Sequence, residues 1–161
     1  VLGNALGEIR ARCFYVVYTH SMTEEEFKAL AESVWQDLPE KFAARIKNVA
    51  LLIEDEPDEE TRKEECLLEG ESLYGIYRGV PNTLRGADYG VGGTLPDTIT
   101  LYRLPILEEA RELTDTDTNM FKDMVTKVVR ETVWHEVGHY FGLDEDPINK
   151  REGEGTNRFE S

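Results

Sequence analysis

The sequence predicts an α+β domain: a small mixed sheet of three to four strands packed on an N-terminal helix and on a long C-terminal helix. Three observations carry that prediction. A capped amphipathic segment opens at Thr23. Three short β-rich segments follow, at 46–54, 73–79 and 97–103. A long apolar stripe at helical spacing then runs from Phe121 to Phe141 and carries His135, Glu136 and His139 near its end.

The elements are justified in order. Residues 1–21 read as an N-terminal extension of unknown role. Arg10 and Arg12 precede an apolar run at 13–18 that is too short, and lacks the small-residue cleavage site, for a secretory signal. Thr23 with Glu26 three residues on is a capping box, and Met22 and Phe27 stand at the staple positions around it. Phe27, Leu30, Ala31, Val34, Trp35 and Leu38 form one apolar face, and Pro39 follows. The nearly continuous apolar run at 49–53 predicts a strand buried on both faces. The acids of 54–65, broken by Pro57, Arg62 and Lys63, predict a solvated loop or frayed helix.

Gly75 inside the second β-rich segment predicts a bulge or a close approach of another chain segment. Residues 85–93 are glycine-rich and loop-like, without the strand–loop–helix context of a phosphate site. In the third strand Ile99 and Leu101 alternate with Thr98, Thr100 and Tyr102 until Pro105 stops it. A short helix is expected at 106–113 and a polar linker at 114–118. Phe121, Met124, Val125, Val128, Val129, Thr132, Val133, Val137, Tyr140 and Phe141 then mark the long helix. Gly142 ends it, as glycine does in the left-handed conformation. The domain is expected to span 22–148, with 149–161 as a loose polar tail.

Composition excludes several function classes. The chain has 161 residues and a formal net charge of -15, so phosphate backbones and anionic membranes repel it. No nucleic acid and no membrane are expected as partners. No apolar run approaches spanning length. Two cysteines, Cys13 and Cys66, make no disulfide framework, and reduced thiols point to a cytoplasmic protein. A monomer or small homo-oligomer is expected.

The chemistry lies in His135-Glu136-Val137-Gly138-His139. Residues four apart share a helix face. Two imidazoles at that spacing can hold one metal ion, with Glu136 beside them as general base. A catalytic zinc takes three protein ligands and keeps one position open. Glu145 stands at the spacing of the third ligand, and its neighbours Asp144 and Asp146 are alternates. Glu152, Glu154 and Glu160 rank lower, because their stretch reads as a tail. No Met follows the motif, so the Met-turn of the full metzincins is missing. Tyr102, Arg103, Arg85 and Tyr89 are candidates to stabilise an oxyanion, although strand and loop packing is the first reading for all four.

Four segments together resemble the small bacterial zincin-like metallopeptidases, over roughly Thr23 to Pro147. The run at 49–57 ends in Glu54-Asp55-Glu56-Pro57, like that family's apolar strand and E-D-E-P. Residues 73–81 (LYGIYRGVP) resemble its Y-G-x-Y-x-G-x-P segment, and 96–103 (PDTITLYR) its P-D-x-I-x-x-Y-R strand. Residues 132–144 (TVWHEVGHYFGLD) resemble its metal helix. The family pattern has Asp where Glu145 stands. The resemblance implies a minimal zincin fold, one Zn2+ per chain, and hydrolysis of a peptide or protein substrate. The alternative it leaves open is a catalytically inactive zincin-fold module that binds metal or a protein partner.

Overall fold

A computed structural model describes residues 21–86, 89, 95–114 and 118–154. The expectations placed on 1–20, on most of the 85–93 loop, on 115–117 and on 155–161 lie outside the described residues, and with them Cys13, His20 and Glu160.

Helix α1 (Glu24–Gln36) starts at the predicted capping box: the Thr23 side chain accepts from the Glu26 amide, and Glu26 accepts from the Thr23 amide. Its face of Phe27, Ala31 and Val34 is buried, with Met22 and Leu38 closing the two ends. A short helix α2 (Glu40–Ala43) follows, and Phe42 stacks edge-on against Trp134 at 5.3 Å between ring centres.

The sheet holds β1 (Val49–Glu54), β2 (Gly75–Arg78) and β3 (Asp97–Tyr102) in the order β1-β3-β2. β1 runs parallel to β3, with Val49 opposite Asp97 and Glu54 opposite Tyr102. β2 runs antiparallel to β3, with Gly75 opposite Leu101 and Arg78 opposite Thr98. The sheet is therefore mixed and small, as the sequence predicts.

One expectation is corrected here. β1 is not buried on both faces. It is an edge strand of mostly half-buried residues, and Leu52 is 41% exposed. The strand buried on both faces is β3, in which Ile99, Leu101 and Tyr102 are fully enclosed and Thr100 and Asp97 nearly so. An apolar run records burial but not the number of neighbours, and Thr and Tyr hide burial behind a polar label.

The acidic run becomes α3 (Glu59–Glu64), capped by Asp58, whose carboxylate accepts from the Thr61 amide at 2.8 Å. Arg78 reaches across from β2 to Thr61 Oγ1 and Glu64. β3 passes directly into α4 (Arg103–Thr114), three residues earlier than 106. Pro105 fits the first helical turn, where its missing N–H costs nothing. Arg103 and the Leu104 amide both donate to Asp55, which closes the junction.

Helix α5 (Thr118–Tyr140) packs against α1, α4, β2 and β3 and carries the core through Phe121, Val125, Val129, Val133 and Val137. It ends in a Schellman turn. Gly142 has φ +82, the Leu143 amide donates to the Gly138 carbonyl, and the Gly142 amide donates to the His139 carbonyl. A second correction follows: residues from 149 onward do not start as a loose tail, because α6 (Glu145–Gly153) is helical through Gly153. Its one apolar anchor is Ile148, the last residue of the expected domain, which is 1% exposed. Among the described residues no helix is long and apolar enough to cross a membrane.

Candidate metal centre

α5 and α6 meet at a close contact that glycine permits. A Cβ on Gly138 would stand 2.9 Å from Ile148 Cδ1 and 3.1 Å from its Cγ1, so any larger residue there makes the Ile148 side chain shift. Glu145, Ile148 and Glu152 sit at i, i+3 and i+7 and share the face of α6 turned toward α5.

That face completes the histidine pair. His135, His139 and Glu145 each offer a ligand atom, and these lie within 4.8 Å of one another. Glu145 Oε1 is 3.1 Å from His139 Nε2, and Oε2 is 3.5 Å from His135 Nε2. The other ring nitrogens are already used. His135 Nδ1 lies 3.0 Å from Glu152 Oε1, and His139 Nδ1 lies 3.0 Å from the Leu143 carbonyl oxygen. Both acceptors require Nδ1–H, which leaves the Nε2 lone pairs turned toward a carboxylate. Three electron-rich atoms facing one another want a cation between them. Two imidazole nitrogens and a carboxylate oxygen form the donor set of a catalytic zinc with a position left open. The residues fit the ion.

Asp144 and Asp146 are not drawn into this group. Asp144 is the N-cap of α6, and Asp146 follows Glu145 on the exposed first turn.

Electrostatics set His135 and Glu136 apart. Burial pulls the His135 pKa down, but the Glu152 hydrogen bond and the carboxylates of Glu136, Glu152 and Glu145 outweigh it and hold it above the ordinary value. Glu136 is 5% exposed. Burial pushes its pKa up to about 7, against the pull of His135, His139 and the Tyr77 amide. That amide belongs to β2, whose outer edge has no strand partner among the described residues. β2 approaches Glu136 this closely because of Gly75, where a Cβ would meet Thr132 Cγ2 at 2.7 Å and Glu136 Cγ at 3.3 Å.

A family model of zincin-like metallopeptidases matches residues 46–154. The chain belongs to that family. Among solved structures, it is similar to a conserved hypothetical protein from Thermo thermophilus, with 27% sequence identity, TM-score 0.46, and coverage of 80% of this chain and 99% of that one. No curated protein matches the chain.

For a zincin-like metallopeptidase, the four oxyanion candidates turn out to be structural. Arg85 and Asp97 form an ion pair with side chains 8% and 2% exposed. Tyr77 and Tyr89 also donate to Asp97. The Arg85 guanidinium lies 4.4 Å from the Tyr89 ring centre and 4.5 Å from that of Tyr140. Tyr140 in turn donates to the Arg45 carbonyl and accepts from the Lys47 amide. This network ties the 3-10 turn at Asn82–Leu84 and the start of β1 to the end of the histidine helix. Tyr102 is fully enclosed in β3, and Arg103 pairs with Asp55. The residue whose role the sequence reading missed is Glu152, ranked low as a ligand and found orienting a histidine. The i, i+3, i+7 spacing of Glu145, Ile148 and Glu152 was the available signal.

Proposed function

We propose that this protein is a zinc-dependent peptidase. The observation that carries the reading is Glu136, a buried carboxylate set between the converging His135, His139 and Glu145 donors and the open edge of β2. His135, His139 and Glu145 would hold the ion. When bound, zinc supplies a Lewis acid and brings a water molecule's pKa toward neutrality.

The chain's own residues do the rest. Glu136 accepts a proton from the attacking water and returns it to the departing amine, the work of a general base and acid within reach of the reacting atoms. Glu152 and the Leu143 carbonyl keep both imidazoles in the tautomer that presents Nε2. A cleft of about 540 Å³ runs past Ile76, Tyr77, Pro81 and Leu84 to the two histidines. An extended peptide or protein segment docks there by adding a strand to the outer edge of β2.

The test is hydrolysis of a mixed peptide library by zinc-loaded protein, with Glu136→Gln and Glu145→Ala alongside. Wild type is expected to carry about one zinc per chain and to cut peptides. Glu136→Gln is expected to keep zinc and lose turnover, and Glu145→Ala to lose zinc. Turnover retained by Glu136→Gln, or failure of the wild type to take up zinc, refutes the reading.

A further inference from the structure

A second arm of the cleft leaves the catalytic centre on the other side of His135. It is a cavity of about 520 Å³ bounded by the start of β2 and by α4 and α5, and His135, Glu136 and Gly75 line it together with the first arm. We propose that this arm is a specificity pocket for a lysine or arginine side chain of the peptide substrate. The proposal rests on the peptidase reading and deepens it.

The walls match such a side chain along its length. Leu73, Leu113 and Val128 offer an apolar path, and the Tyr74 ring, 41% exposed, offers a face. Long basic side chains lay an alkyl stem on such a surface and keep the charge at the far end. Two carboxylates stand on the same lining. Glu109 on α4 is held by the Tyr74 hydroxyl at 2.7 Å, and Glu131 on α5 lines the same arm. Tyr74 stays a neutral donor, because burial and the Glu109 bond push its pKa up to about 12. Among the described residues no lysine or arginine lines the cavity. Lys127 stands 3.9 Å from Glu131, on a face where both side chains are more than half exposed. Glu152 also lines the arm but is committed to His135, so it adds field without being displaced. An acidic substrate side chain would meet the carboxylates of Glu109, Glu131, Glu136 and Glu152 and is disfavoured.

The cavity adjoins Glu136, so the side chain it takes belongs to a residue next to the bond being cut. The opposite arm runs past Ile76, Pro81 and Leu84, with Glu65 and Asp144 also on its lining.

The test compares peptides that differ only by lysine or norleucine at each position flanking the cleaved bond. The lysine peptide is expected to lead by roughly fivefold to tenfold in kcat/KM, the yield of two partly exposed ion pairs. The lead shrinks at about 1 M salt. The double variant Glu109→Gln/Glu131→Gln keeps an acceptor for Tyr74 and is expected to bring the ratio to about one. Removing the same charges elsewhere, by Glu59→Gln/Glu60→Gln on exposed α3, leaves the ratio as it was. No lysine preference in the wild type, or a preference that survives Glu109→Gln/Glu131→Gln, overturns the pocket and leaves the peptidase reading standing. Zinc-loaded Glu136→Gln separates the two claims by binding alone. Tighter binding of the lysine peptide, lost when Glu109 and Glu131 are also replaced, supports the pocket even without turnover. Equal binding of both peptides overturns it.

Discussion

Burying Glu136 has a cost that can be measured without any substrate. In the metal-free protein its pKa rises from the ordinary 4.5 to about 7, with burial as the main cause. A raised folded-state pKa means that the native protein holds the proton more tightly than the unfolded chain does. The stabilisation from that proton is complete below about pH 4.5 and is lost as the pH climbs through about 7. At about 1.36 kcal/mol for each pKa unit, the full loss is about 3 kcal/mol. Glu136→Gln removes the titration and keeps an acceptor for the Tyr77 amide. The variant is therefore expected to match the wild type near pH 4.5 and to exceed it by about 3 kcal/mol near pH 8. Urea unfolding in the presence of a chelator, at both pH values, reads the difference. Zinc should narrow the gap, because a cation beside the carboxylate stabilises its charged form. A variant no more stable than wild type near pH 8 would refute the buried, strained carboxylate on which the general-base role depends.

Four further outcomes follow from contacts already described. Glu152→Ala frees the His135 ring and should weaken zinc binding by about 10- to 100-fold in a chelator competition. Gly138→Ala crowds the Ile148 side chain at the contact between α5 and α6 and should weaken zinc in the same assay while helix content by circular dichroism stays close to wild type. Gly75→Ala meets Thr132 Cγ2 and should lower turnover with zinc stoichiometry intact, and Thr132→Ser in the same chain should recover part of the loss. Asp97→Asn leaves the Arg85 guanidinium buried and unpaired, at about 3–5 kcal/mol in denaturant unfolding.

Much of this was legible in the sequence because the signals are local. The capping box at Thr23, the apolar face of α1, the stripe of α5 and the glycine stop at Gly142 depend on residues within a few positions of one another, and the structure reproduces each. The histidine pair is legible for the same reason. What failed was non-local. The central place of β3 is a matter of how many strands lie beside it, which a pattern of Thr and Tyr does not record. Packing was the first reading for Arg85, but its partner Asp97 stands in another element and gives no sign of pairing, so the buried ion pair itself could not be read. The part of α6 beyond 148 read as a tail because the helix has one buried residue, Ile148, and the glycine that receives it lies in another helix.

The centre is also unusually local. Both imidazoles, Glu145, and the groups that orient the rings all fall between His135 and Glu152, and none of these comes from the sheet. Bringing these donors together closes only a short loop around Gly142, so little chain entropy opposes it. An unfolded or half-folded chain should then already hold zinc with measurable affinity. Zinc bound to the unfolded state gives back part of the stabilisation expected from its affinity for the native one. The ion can be captured early, while the chain is still collapsing, with the sheet and its open edge forming around an ion already in place.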